Sequence, residues 1–425
     1  MTPYNKVFFF EKIPFWLTCL LPLLLVTGPF LADSAIIICA IIFLVNSYYN
    51  NLGSYYKNNF FYYFLLFYIY INLSSLFSTD IFFSLKNSLP YFRFGIFALS
   101  VWYLLDKNEK LLKYFFFCFL LVYFCLLIDA TYQYNNQVNL FGYPLISERV
   151  SSFFGNELIM GSYISRTFPL FLGLFFYLIN KKKLKKNFFN IISIIFLYVP
   201  ILLFFSGERT SFFFYFLSMT YILILSFSKK ILYFFFVNIL VIFISIFFFE
   251  SRFSHRIIQA TQSQVFKKDI DGTKRNFYIF SEIHEDHIKS ALLIFKDNVF
   301  LGSGPKTFRI NCLKKEYKLS DFSCTSHPHN TYIQLLSEIG LVGFLFVFFV
   351  FLLLCYNSII LIYRKYLLRS KTDIIQVSLL SCFLITLWPI VPSGNFFTNW
   401  LNIVYYLPVG FYLWIIQKKK IKINK

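Results

Sequence analysis

Charge is what this 425-residue sequence has least of. Asp, Glu, Lys and Arg together supply 14% of it, where an ordinary soluble domain carries about 25%. Hydrophobic residues fill 58% and aromatic residues 23%, with Phe alone contributing 62. That balance excludes intrinsic disorder. It also disfavours a soluble globular enzyme, because a single hydrophobic core stops growing at about 250–300 residues. What remains is a multi-span membrane protein. Internal repeats of fixed period are missing too, and no inverted symmetry stands out. Phe, Ile, Asn, Lys and Tyr recur along the whole chain as a compositional bias, so the aromatic excess alone carries no binding function.

A spanning helix needs about 20 mostly apolar residues. Stretches of that kind lie near 13–31, 34–49, 59–77, 88–105, 111–131, 158–180, 188–206, 210–227, 231–249, 332–357, 373–391 and 400–416. The first could imitate a signal peptide, but it lacks a clear small-residue cleavage site and many spans follow it. The expected fold is an all-α integral membrane protein of about 12 transmembrane helices, with one large non-cytoplasmic loop containing short helices. The expected organisation is 1–249 (spans 1 to 9), 250–328 (the loop) and 329–425 (spans 10 to 12 and a basic tail).

Acidic residues are few, 20 against 40 Lys and Arg, and the net charge is +20. The basic residues sort by side. One set of connections and both ends hold 22 of them, including the run Lys181-Lys182-Lys183-Leu184-Lys185-Lys186 and the tail from Lys418. Each short connection of the opposite set holds one at most: Lys86, Arg149 or Arg209. The positive-inside rule then puts both termini in the cytoplasm. The charge therefore marks topology, and no nucleic-acid partner is implied. The 250–328 loop is exempt from that count by its length and carries 13 Lys/Arg against 9 Asp/Glu. Within it Ile283, His287, Ala291, Leu292 and Phe295 fit a short amphipathic helix.

The chemistry-bearing residues gather in and beside this loop. All five His lie there, at 255, 284, 287, 327 and 329, and the spans contain none. Imidazole suits proton transfer near neutral pH. The densest candidate is His327-Pro328-His329-Asn330, at the start of a span where Asn330 can cap the helix. Glu338 follows two turns inside that span, a costly place for a carboxylate and so a functional or pairing residue. Gly340 and Gly343 would permit close helix packing. A zinc site from His284, His287, His327 and His329 matches no known ligand spacing, and His284 and His287 are read as the solvated face of the loop helix.

Arginine forms a second set. Arg209, in the turn Ser206-Gly207-Glu208-Arg209-Thr210-Ser211, and Arg275, in the loop, lie on the expected outer side with Arg149, Lys306 and Arg309. Guanidinium grips phosphate oxygens two at a time; the alternative is a set of interfacial anchors. Arg93 and Arg166 fall inside spans, where each would either hold a lipid phosphate or tie helices together. Leu301-Gly302-Ser303-Gly304-Pro305-Lys306 lacks the Gly-Lys-Ser/Thr ending of a nucleotide loop and reads as a tight turn. Cys312 and Cys324 are the loop's only cysteines, either a disulfide or two free thiols.

These pieces resemble the O-antigen ligase and polymerase superfamily. The likeness rests on Gly207-Glu208-Arg209-Thr210-Ser211, on Arg275 followed by Asn298 to Pro305, and on His327 to Asn330 followed by Glu338 to Gly343. It is strongest over about residues 207–343. Arg149 to Asn156 is a looser match, since the family often has Pro where this chain has Glu157. The resemblance implies a glycosyltransferase that moves a glycan from undecaprenyl diphosphate to a sugar hydroxyl, on lipid A core or a growing O-antigen, with no metal or cofactor. It casts His329 as the base and Arg209 and Arg275 as stabilisers of the diphosphate. His327, Asn330, Glu338, Arg149 and Lys306 would line the substrate site. The competing expectation is a flippase for the lipid-linked glycan, which should spread ionisable groups through many spans; here they collect on one face.

Overall fold

A computed structural model describes residues 8–185, 188–228, 231, 233, 235–237, 239–240, 244, 260–268, 275–277 and 281–423. Lys6, Lys186, Lys229, Lys230, His255, Lys425 and much of the expected 231–249 span lie outside these residues. After a π-helical turn at Phe8–Lys12, the described chain forms α1 (Ile13–Leu24), α2 (Pro29–Asn50), α3 (Asn59–Leu76), α4 (Ile81–Ser88), α5 (Phe92–Lys107), α6 (Lys110–Asn136) and α7 (Met160–Asn180). It continues through α8 (Phe188–Ser206), α9 (Arg209–Ser226), α10 (Ala260–Val265), α11 (Glu282–Asp297), α12 (Phe308–Asn311), α13 (Thr331–Tyr366), α14 (Ile374–Thr386) and α15 (Asn399–Ile423). A small hairpin interrupts the helices: β1 (Phe266–Lys268) pairs antiparallel with β2 (Arg275–Phe277), Lys268 opposite Arg275.

Among the described residues seven helical stretches are long and apolar enough to cross a membrane: Pro29–Asn50, Asn59–Leu76, Ile81–Lys107, Lys110–Asn136, Met160–Asn180, Arg209–Ser226 and Thr331–Tyr366. Ile194–Ser206 and Ile374–Thr386 are shorter apolar helices. The first expected span ends early, at Leu24, because Gly28 adopts φ 117° and Pro29 starts a new helix. Proline suits that first position, since its missing N–H would have been unpaired there anyway. The 88–105 span begins earlier than expected, at Ile81, where Asp80 caps α4 by accepting from Phe83 N, and Pro90 turns the chain through a short 3-10 segment into α5.

The helices close into one apolar core in which α7 packs on α14, α15 on α5, α9 on α14 and α7, and α1 on α2 and α6. The two arginines expected inside spans part company in it. Arg93 donates to both carboxylate oxygens of Asp33, at 3.0 and 3.3 Å, and to Pro90 O at 2.7 Å. Asn399 donates to the same Asp33 at 2.9 Å, so Arg93 ties α2, α5 and α15 together. Arg166 is 4% exposed and lies over the Phe214 ring at 4.6 Å, and its Nη1 has no acceptor among the described residues.

One helix is broken on purpose. At Gly340, in the apolar stretch of α13, the backbone takes φ 67°, ψ −172°. The freed groups are not wasted on lipid, where an unpaired peptide group costs several kcal/mol. The segment 298–304 runs into the gap: Leu341 N donates to Val299 O at 2.7 Å, Gly304 N to Glu338 O at 2.7 Å and Ser303 N to Ser337 O at 3.0 Å. A Cβ at Gly340 would collide with the Phe300 carbonyl, so Gly340 opens the helix to a second strand of chain and is more than the close-packing residue expected. Ser74 and Ser78 of the α3 end hold the same segment by donating to Leu301 O (2.7 Å) and Ser303 O (2.8 Å). The Gly-rich turn is thereby built into the bundle.

Candidate active site

The site assembles where α9, α11 and α13 begin. Each start has a local cause. Asn330 caps α13: its Oδ1 accepts from Tyr332 N and Ile333 N at 3.0 and 3.1 Å. Its Nδ2 donates to Pro389 O and Val391 O, joining α13 to the loop after α14. Ser281 caps α11 by accepting from His284 N, and its hydroxyl also lies 2.7 Å from His284 Nδ1. A disulfide joins Cys312 and Cys324 and closes the stretch between α12 and the histidine turn.

Four imidazoles meet here. The His329 ring centre is 4.2 Å from His327, 5.1 Å from His284 and 5.4 Å from His287. His284 and His287 were expected on a solvated face, and this is corrected: His287 is 5% exposed and His284 is half-buried. The i, i+3 spacing puts both on one side of α11, the side that packs against α13. The loop helix exists as expected, but its buried face is His287, Ser290, Ala291 and Ile294, while Ile283 is 45% exposed.

The rings are not equivalent. His327 Nε2 donates to Ser393 O at 3.0 Å, and its Nδ1 faces Ser326 Oγ at 2.8 Å, so both nitrogens are committed. His329 sits at φ 54°, with its carbonyl accepting from Ser393 N at 2.8 Å. Among the described residues its ring nitrogens have no hydrogen-bond partner, and the ring is half-buried. Burial, with the neighbouring imidazoles, holds His329 down at about 3; burial pushes His327 to about 4 against the Ser393 contact. His284 is lowered by burial, then by His287 and the Arg209 guanidinium; His287 is lowered by burial. The cluster is therefore neutral at physiological pH, and an arriving anion would raise its proton affinity.

Cations flank it. Arg209, at the first turn of α9, donates to Thr261 Oγ1 (2.8 Å) and Gln264 Oε1 (2.6 Å) and acts electrostatically on His284. Arg309 acts on His327 and donates to Ser326 O at 3.4 Å. Lys306 is lowered by burial and by Arg309. Arg275 lies on β2, where its backbone position is described and its side chain is not.

Two buried carboxylates shape the surroundings. Glu338, 0% exposed, accepts from Lys306 N (2.9 Å), Phe308 N (3.2 Å) and Gln334 Nε2 (2.9 Å). Glu208 accepts from Gly161 N (2.9 Å) and Ser211 Oγ (2.8 Å) and stands 3.7 Å from Arg149. Arg149 also donates to Ser206 O (2.9 Å) and Leu158 O (3.0 Å). Glu338, Asn330 and Arg149 are thus engaged in holding backbone. Sequence reasoning passed over Gln334, named Arg309 only among the outer-side cations, and set aside the two α11 histidines. Gln334 carried no signal as a polar residue in an apolar helix, whereas the confinement of every His to one region was a signal for the last two. Among the described residues no group of three or more His, Cys, Asp or Glu is placed to hold a metal ion.

Comparison with known proteins fits this arrangement. Residues 191–348 match the O-antigen ligase family. The matched stretch holds Arg209, Arg275, the four clustered histidines and Glu338, and leaves Arg149 outside. The match supports membership of the O-antigen ligase and polymerase superfamily, and with the apolar helices it points to a multi-pass bacterial membrane protein of glycosyltransferase type. No curated protein matches the chain.

Proposed function

We propose that this chain, a member of the superfamily marked by its 191–348 match, transfers a glycan from undecaprenyl diphosphate to a sugar hydroxyl at the periplasmic face of the inner membrane. The observation that carries the reading is His329: a half-buried imidazole whose ring nitrogens have no partner among the described residues, among three other imidazoles, of which His284 feels the Arg209 guanidinium and His327 that of Arg309. His329 takes the proton of the acceptor hydroxyl as its oxygen attacks the anomeric carbon. The bond from that carbon to the diphosphate breaks, and the lipid diphosphate leaves with the electron pair. Arg209 and Arg275 stabilise its charge. A single in-line displacement inverts the anomeric centre. His327 is the weaker base candidate, because both its nitrogens are occupied. Asn330 and Glu338 act by positioning: Asn330 aims the histidine turn and Glu338 holds the 304–308 turn with Lys306 and Arg309 beside it. Arg149 fixes the entry to α9.

The test is complementation of strains lacking either a lipopolysaccharide ligase or an O-antigen polymerase, since restored attachment and restored chain lengthening give different gel patterns. His329→Ala should abolish the restored pattern while the protein still inserts, and Arg209→Lys should fail because a point charge does not replace the guanidinium fork. Normal glycan from His329→Ala would reject His329 as the base.

A further inference from the structure

Among the described residues no carboxylate orients His329. Catalytic imidazoles are commonly held by a hydrogen bond at the nitrogen that does not do the chemistry, and among the described residues no acidic side chain bonds to this ring. The nearest chemistry is another histidine with the complementary deficiency. His287 Nδ1 is buried and has no hydrogen-bond partner among the described residues. Buried polar atoms without partners are few in folded proteins, and each calls for an explanation.

The geometry supplies one. Two imidazoles joined by an N–H···N bond of about 3 Å have ring centres roughly 5.2 Å apart. His287 and His329 stand at 5.4 Å, with ring planes tilted by 32°. Their ring centres stand at about the spacing of a bonded pair, and a side-chain rotation would bring the nitrogens into line. His327, at 4.2 Å with its ring plane tilted by 47°, is too close for that arrangement. The tautomer also fits. A backbone contact with Phe322 favours the protonated ring of His287, and because Nδ1 has no partner among the described residues that contact falls to Nε2. The lone pair of His287 is then on Nδ1, the orphaned atom.

We propose that His287 is a positioning residue for His329, its Nδ1 accepting a hydrogen bond from the His329 ring once that ring has taken the acceptor proton. The proposal rests on His329 being the base. In the step itself the acceptor O–H bond breaks and a new N–H bond forms at one His329 nitrogen, while the N–H already on the other nitrogen donates to His287 Nδ1 until the new proton passes to water. The pairing works through a neutral acceptor, so it stabilises the imidazolium without keeping His329 charged at rest. The groups facing the pair set its pH response. On α11 these are His284, Asp286 and Glu285; Asp286 favours a charged His287 and is itself held by Ser320 at 2.7 Å. From the α13 entry comes His327, from α9 Arg209 against His284, and from α12 Arg309 against His327.

The experiment follows glycan transfer by the purified full-length protein against pH, using lipid-diphosphate-linked donor and acceptor, for wild type, His329→Ala, His287→Phe, His287→Gln and His287→Asp. His287→Phe should lower kcat about ten- to hundredfold with KM kept, the loss expected when a hydrogen bond to a charged group disappears. Its acid limb should move to lower pH, because protonated His329 has lost its acceptor. His287→Asp should move the limb the other way, since a carboxylate favours the imidazolium. His287→Gln, which keeps an acceptor at similar reach, should stay near wild type and shows that the fold tolerates change at this position. Limbs that stay put, or move together, in the Phe and Asp variants overturn the pairing. A dead His329→Ala alongside unmoved limbs removes His287 only, whereas an active His329→Ala removes the base itself.

Discussion

The two ends of the helical bundle both carry charge, and they use it differently. At the lysine-rich end Glu109 accepts from Lys183 at 2.7 Å and also contacts Lys418, and Lys419 stands 3.2 Å from Asp373. These side chains are 35–39% exposed. At the histidine end Glu338 is fully buried and the Glu208 side chain is 15% exposed, and both bind backbone N–H groups. Pairing in water tolerates many geometries and contributes little. A buried carboxylate on backbone donors permits one geometry, because any other leaves peptide groups unpaired. The lysine end thus has the character of a topological label, and the histidine end that of a built site. Net charge alone hides this, since the basic excess counts both kinds equally.

The sharpest way to break the contrast is to remove the carboxylate that holds the 304–308 turn. Glu338→Ala leaves Lys306 N, Phe308 N and Gln334 Nε2 without their acceptor in a dry site. We expect a loss of roughly 3–5 kcal/mol, from several buried donors at about 1–3 kcal/mol each with partial relaxation. Glu338→Gln keeps one acceptor oxygen and should lose about 1–2 kcal/mol. Thermal melting in detergent measures both. Equal melting of Glu338→Ala and wild type would show that the 304–308 turn is held by the Gly340 gap alone.

Acidity separates the ends without mutation. His329, His327, His284 and His287 have lowered proton affinities in the fold, while an unfolded His titrates near 6.5. Below about 6.5 the unfolded chain therefore binds protons that the folded cluster refuses, and stability at this end falls as pH drops toward 4. At the other end burial pushes Glu109 up but the Lys183 and Lys418 contacts outweigh it, so its carboxyl is lowered overall. Its contribution is present above about 4.5 and lost only below that. Between pH 6.5 and 5, then, limited proteolysis should cut faster within residues 282–328 and at an unchanged rate around residues 107–110. Equal acceleration at both places would mean that the histidines are not the group responding.

How much of this was legible in the sequence depends on range. Helices such as α2 and α3 follow from runs of apolar residues, and their starts from Gly28-Pro29 and from the Asn58 cap. The histidine turn, Arg209 and Glu338 stood out because each residue type was out of place for its surroundings. The break in α13 did not stand out, since Gly340 sits in a helix apolar on both sides and only the 298–304 segment, far earlier in the chain, gives the break its partners. The α11 histidines were misread for a related reason. Helical spacing placed them on one face but did not say that α13 covers it. Arg93 and Arg166 looked alike in sequence and differ in the fold because only Arg93 has Asp33 across from it.

The smallest expected effect tests the weaker half of the comparison. Lys183→Ala removes one of the two lysines on Glu109, whose side chain is 39% exposed. Water screens such a pair, and ordering two long side chains offsets most of the attraction. The loss should be under about 1 kcal/mol and should shrink further in high salt, as the Debye length contracts from about 10 Å at 0.1 M to 3 Å at 1 M. The Glu338 effect should keep its size over the same range, because its partners are buried neutral groups that salt does not screen. Melting both variants at low and high salt makes one comparison of the two. A Lys183→Ala loss as large and as salt-resistant as that of Glu338→Ala would mean that the lysine end is also a built structure, and the division drawn between the ends would fail.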